Sequence, residues 1–147
     1  MPVSYSNTIF GLFSSLALLG AIASTGCSSS GPPVVPVKGQ VNLVDGDKAA
    51  LSGHMIELTK ADDNLVRSYG QITPEGNFEL ESLIGGEIHK GALEGKYKAR
   101  VILSDDDPAQ RKVARAAINP RFLKFDSSNL TVDVPATTPV QLQISRR

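Results

Sequence analysis

The chain has no tryptophan, one cysteine, two histidines and no charged side chain before Lys38. Each shortage excludes something. A single cysteine forms no internal disulfide, so whatever folds must hold by packing. A zinc site would need both His54 and His89 together with carboxylates such as Glu57 or Glu87. Their separation along the chain matches no local metal motif, so His54 reads as a polar residue on a strand face and His89 as a loop residue. Without tryptophan an aromatic sugar platform has little to build on. Phe78 and Tyr97 fall at core parity, which leaves Tyr69, Phe122 and Phe125 as candidate surface aromatics. No Gly-x-Ser-x-Gly elbow is present, and only two histidines are there to act as a base, so no catalytic residue is assigned and the chain is not expected to be an enzyme.

Charge is balanced but unevenly placed. Fifteen basic and fifteen acidic side chains cancel, which argues against a nucleic-acid partner. All of them lie after residue 37, so an uncharged leader precedes a soluble body of a size that sustains one core.

Within the leader, residues 9–23, IFGLFSSLALLGAIA, carry neither charge nor proline. A spanning helix needs about 20 apolar residues. This run is shorter and has the length of the apolar core of a secretory signal. Ser24, Thr25, Gly26 and Cys27 follow at once, and then a run of serines. Apolar core, small residues, Gly-Cys and a Ser-rich tether resemble a bacterial lipoprotein signal with its lipobox, although Ser24 stands where Leu is usual. The resemblance implies that the Cys27 thiol takes diacylglycerol and that cleavage makes Cys27 the new N-terminus. Two other readings stay open: ordinary cleavage after Ala23, or an uncleaved anchor. Stable attachment takes more than one acyl chain, which a diacylated cysteine supplies.

The expected organisation is therefore a signal peptide over 1–26, a lipidated cysteine with a Ser/Gly/Pro tether over 27–36, and a folded domain over 37–147. Gly and Ser loosen the tether, while Pro32, Pro33 and Pro36 stiffen its later part and would lift the body off the headgroups.

From Val37 the apolar pattern has period two. Val37, Gly39, Val41 and Leu43 share one face, and Lys38, Gln40 and Asn42 the other. Further strands are expected over 54–59 with Ile56 and Leu58 inward, over 65–73, and from Asn77 with Phe78 and Leu80 inward. Tyr97, Ala99, Val101 and Leu103 mark the next, and Leu130, Val132 and Val134, then Val140, Leu142 and Ile144, mark the last two. Asp45-Gly46 and Thr73-Pro74-Glu75-Gly76 are turn signals between them. Seven short strands at regular spacing predict an all-β fold, a seven-stranded antiparallel sandwich of the immunoglobulin-like kind.

One segment departs. Asp107 is a helix cap and Pro108 a first-turn proline, which predicts a short crossover helix over 108–117 with Ala109, Val113 and Ala116 on its inner face. Asp105, Asp106 and Asp107 suggest calcium by composition, but three consecutive aspartates do not converge on one ion, so a solvated loop and cap is the plainer reading. Arg111, Lys112 and Arg115, with Arg121 and Lys124, form a basic stretch that could touch anionic headgroups or glycans, or be a solvated helix face.

The body also resembles the carboxypeptidase-regulatory, transthyretin-like sandwich. Val37-x-Gly39-x-Val41, Asp45-Gly46, Gly53, Pro74-x-Gly76-x-Phe78 and Gly95-Lys96-Tyr97 stand in that order. Small planctomycete-type lipoproteins join this sandwich to a lipobox. Asn119-Pro120-Arg121-Phe122, then Ser128, Leu130, Val132 and Val134, look like the ending usual among them. Ala92-Leu93-Glu94 and the loop LIGGEIHKGALEG depart from the pattern. Together these readings predict a membrane-anchored envelope lipoprotein with a non-catalytic binding or structural module and no cofactor. Its partners would be membrane lipid, through acylated Cys27, and an envelope protein or glycan. Ser28 rather than Asp after the cysteine favours the outer membrane. The alternative is a secreted metal- or carbohydrate-binding accessory module.

Overall fold

Period-two alternation turns into strand along most of the body. The computed structural model describes residues 31–146, so Ser24, Thr25, Gly26 and Cys27 lie outside the described residues. Eleven strand segments follow one another: β1 (Val34–Val35), β2 (Lys38–Val44), β3 (Met55–Lys60), β4 (Arg67–Gln71), β5 (Asn77–Glu79), β6 (Glu81–Ile84), β7 (Glu87–Lys90), β8 (Ala92–Leu93), β9 (Gly95–Ile102), β10 (Leu130–Val134) and β11 (Val140–Ser145). They form a six-stranded sheet in the order β10-β9-β3-β4-β6-β7, a three-stranded sheet β11-β2-β5, and the small pair β1-β8.

Both main sheets feed one core. Val41 and Leu43 of β2 and Leu142 and Ile144 of β11 join Ile56, Leu58, Tyr97, Ala99, Val101 and Val132 from the larger sheet in a single buried cluster. These are the inward positions that alternation picks out. Burying a side chain of this size contributes about 1.5–3 kcal/mol relative to leaving it exposed, so the cluster is what holds a body without disulfides.

The departures from seven antiparallel strands have local causes. The strand beginning at Asn77 is interrupted at Leu80, where the chain leaves β2 of the small sheet and joins β4 of the large one. The segment read as a long loop, residues 83–95, contains β7 and β8, so His89 is a strand residue. Its outward apolar residues hide the alternation that marks the other strands. Val34–Val35, inside the stretch read as tether, pairs with Leu93 and Ala92. Finally, β11 runs parallel to β2, from Val140 beside Gly39 to Ser145 beside Val44. Alternation reports which face a residue occupies but not strand direction, so the antiparallel expectation fails there. At the Asp45-Gly46 turn the positive φ, 58°, falls on Asp45 rather than on the glycine.

The crossover helix α1 spans Pro108–Ala117, and the Asp107 carboxylate caps it by accepting from the Ala109 and Gln110 amides. Its buried residue is Ala114, while Val113 is 56% exposed. The inner face predicted as Ala109, Val113 and Ala116 is thus rotated. The Gln110 amide, donating to the Ser52 carbonyl at 2.5 Å, fixes the rotation. A 3₁₀ turn at Pro120–Leu123 and the single turn α2 (Phe125–Ser128) then lead into β10.

Candidate functional site

A groove of about 970 Å³ runs along the seam where the β4–β5 connection carries the chain from one sheet to the other. Its buried lining is Gly39, Gly70 and Phe78. Gly39 and Phe78 sit opposite each other on β2 and β5, and the ring fills the space a side chain at position 39 would take. The walls carry Lys38, Gln40, Asn77 and Gln141 from the small sheet, with Met55, Tyr69 and Gln71 from the large one. Strand alternation sets this division, because residues that flank a core residue on the same strand point outward.

Amides dominate the polar wall. Gln40 Nε2 donates to Asn77 Oδ1 and to the Glu75 carbonyl, each at 3.2 Å, and Asn42 Nδ2 donates to Gln141 Oε1 at 2.8 Å. Gln40 Oε1, Asn77 Nδ2 and Gln141 Nε2 take no part in these bonds and remain to face a ligand, one acceptor and two donors. The charges are largely internal to the wall. Lys38 Nζ donates to Glu79 at 2.6 Å and holds that carboxyl below its usual range. Glu81 adds a further negative charge to the lining, which works against a polyanionic ligand.

Behind Tyr69 lies a second cluster. Glu57, directly opposite Tyr69 on β3, is 2% exposed although it points away from the apolar core. Arg67 Nη1 and Arg100 Nε donate to its two carboxylate oxygens at 2.5 Å each. The Phe125 ring covers both guanidinium groups, at 5.7 Å from Arg67 and 4.7 Å from Arg100. Burial, and then the Glu57 charge, push the Tyr69 hydroxyl above its ordinary pKa. This cluster fixes the strand that carries Tyr69 into the groove.

The residues singled out from the sequence distribute as follows. Arg111, Lys112 and Arg115 do come together, lining a second hollow of about 280 Å³ with Asp105 and Pro108. Arg111 pairs with Asp105, so part of that charge is answered locally. The three aspartates point to separate tasks: Asp105 to Arg111, Asp106 to the Ser104 hydroxyl at 2.6 Å, and Asp107 to the helix cap. His54 precedes β3 and is buried rather than displayed on a strand face, and its Nδ1 accepts from the Ser104 amide at 3.1 Å. His89 sits three strands away on the edge strand β7. Glu57 is engaged by arginines. Among the described residues no group of three or more His, Cys, Asp or Glu is placed to share an ion.

Of the candidate surface aromatics only Tyr69 reaches the groove. Phe122 is buried, because the 3₁₀ turn that carries it folds its ring into the core, and Phe125 is half-buried over the arginines. The amides carry no mark of their own in the sequence, because an outward Gln or Asn on a strand has the pattern of ordinary solvated surface. Their signal is the register, which aligns Gln141 with Gln40 and Gln40 with Asn77 across three strands. No helix among the described residues is long and apolar enough to cross a membrane. Set beside known proteins, the chain matches no family model, no curated protein and no solved structure.

Proposed function

We propose that the chain is a lipid-anchored, non-catalytic binding module of the bacterial cell envelope. Acylated Cys27 holds it on the membrane, and the seam groove receives a neutral, polyhydroxylated ligand, an envelope glycan. The β-rich body is read as an immunoglobulin- or transthyretin-like sandwich of the carboxypeptidase-regulatory kind. Ser28 behind the cysteine favours the outer membrane as the address.

The amide wall is the observation that carries the ligand reading. A sugar hydroxyl both donates and accepts, and an amide side chain answers it in either sense. Amides aligned on adjacent strands about 4.8 Å apart meet successive hydroxyls without a charge to desolvate. Tyr69 adds a half-buried ring at the rim, and its amphipathic shape suits a sugar face. The lipobox resemblance supports the anchor.

Two measurements test the two parts. Intact mass of the protein taken from membranes should show an N-terminal Cys27 carrying acyl chains, lost in Cys27→Ala. An unmodified thiol behind an N-terminus at Ser24 would sink the anchor. Soluble glycan fragments of the envelope should raise the melting temperature of the native protein, since a ligand that prefers the folded state must stabilise it. Equal melting curves with and without fragments, for wild type and Tyr69→Ala alike, would sink the groove reading.

A further inference from the structure

The hairpin β6–β7 inverts the pattern of the other strands. Ser82 points inward, its hydroxyl 2.6 Å from that of Ser68 and donating to the Gly91 carbonyl at 2.7 Å. Leu83 and Ile88, paired directly across the two strands, point outward and are 64% and 70% exposed. The turn between them is Gly85-Gly86, and neither glycine has a neighbour within reach of a side-chain position. The hairpin thus ends in a free tip with a cross-strand apolar pair beside it. In water this is the wrong way round.

The chain itself says what lies nearby. A side-chain carbon at Gly31 would lie 3.4 Å from the imidazole of His89, which adjoins Ile88, and Val34–Val35 is held to Ala92–Leu93. The point where the chain leaves the body toward Cys27 is therefore fixed beside this hairpin. Cys27 lies four residues before Gly31, and at full extension such a segment spans about 14 Å. From His89 to the tip at Gly86 the strand covers about 10 Å. A lipid-bearing Cys27 and the Leu83–Ile88 pair are thus able to reach one plane.

We infer that the β6–β7 hairpin is a second membrane contact, with Leu83 and Ile88 seated in the headgroup layer of the membrane to which Cys27 is anchored. This rests on the lipid-anchor reading proposed above. The contact is shallow, because Glu87 and Lys90 flank the pair and remain hydrated. Its consequence is orientation: the short link keeps the body down on the membrane with one edge of the large sheet toward it, rather than lifted away by a long tether.

The test uses the mature, full-length chain in vesicles of phosphatidylethanolamine and phosphatidylglycerol. Acylation consumes the Cys27 thiol, so an Ile88→Cys variant carries one free thiol for a polarity-sensitive label. Val113→Cys, on α1, is the control. The expected result is a blue-shifted emission, quenched by lipid-borne quenchers, at position 88 but not at 113. Intact mass is read on the same sample. Acyl mass present with an aqueous label at position 88 overturns this inference and leaves the anchor standing. Acyl mass absent overturns the anchor, and the inference falls with it. A label shielded equally in detergent, in a particle of twice the mass, also overturns it, because a second copy would then cover the pair.

Discussion

Glu57 and Arg100 face each other across β3 and β9, and the guanidinium Nε donates to the carboxylate at 2.5 Å on the side of the sheet opposite the apolar core. Arg67 grips the other oxygen, and Phe125 covers both cations. A buried carboxylate with two partners tolerates losing one better than losing both. Arg67→Ala and Arg100→Ala are each expected to cost about 1–3 kcal/mol, the range for a broken buried hydrogen bond. The double variant strands a buried charge that either arginine alone still answers, so its loss should exceed the sum of the two single losses. Urea denaturation of the four proteins measures the coupling, and strict additivity would refute the shared clamp.

His54 supplies a pH dependence whose sign follows from its surroundings. Nδ1 accepts from the Ser104 amide, so the neutral ring carries its proton on Nε2, which is buried and has no partner among the described residues. Burial lowers the pKa from 6.5 against an opposing pull from the Gln110 backbone, and the nearby Arg111 cation adds to the lowering while Asp107 resists it. As pH falls below 6.5 the unfolded chain takes up this proton first, so folding stability declines until the folded-state pKa is passed. His54→Asn keeps an acceptor for Ser104 and removes the titration. The difference in unfolding free energy between wild type and variant should therefore change across that acidic window and be flat above pH 7. Parallel curves throughout would show that the ring is hydrated in the folded state.

How much of this was legible follows from what alternation encodes. It identified Val41, Ile56, Leu58, Phe78, Val101, Val132 and Leu142 as core, because burial on one sheet face imposes period two. The burial of Glu57 and Thr59 was not legible, since residues 120–128, distant in sequence, close over that face. Nor was the parallel β11, which has the same alternation as an antiparallel strand. The groove was legible only in Tyr69; its amides come from strands a hundred positions apart and acquire meaning through register. Cys27, the most informative residue of the sequence, lies outside the described residues.

The rotated face of α1 gives a direct comparison. Ala114 is fully buried, and Val113 beside it is more than half exposed. Ala114→Leu forces extra volume into a filled contact and should cost about 1–3 kcal/mol. Val113→Lys should change stability by no more than about 0.5 kcal/mol. Thermal unfolding of both variants decides it, and a large loss from Val113→Lys would restore the inner face that spacing alone predicts.

The groove separates stability from binding in a way two substitutions expose. A side chain at position 39 would place its Cβ 2.7 Å from the Val140 carbonyl oxygen and against the Phe78 ring. Val140 O belongs to the backbone of β11, so relief requires that strand or the ring to move. Gly39→Ala is expected to cost about 1–3 kcal/mol and to displace the buried lining of the groove. Tyr69→Ala removes a half-buried ring at the rim that lies outside the apolar core cluster, although it stands beside the Glu57 carboxylate. It should leave the melting temperature within a few degrees of wild type, since about 1 kcal/mol shifts a domain of this size by about 4 °C. The same variant should abolish the stabilisation by glycan fragments, because the ring that covers one sugar face is gone. If Tyr69→Ala binds fragments as wild type does, the amide wall acts without the rim. If Gly39→Ala is as stable as wild type, the packing of Phe78 against β2 is looser than its burial implies.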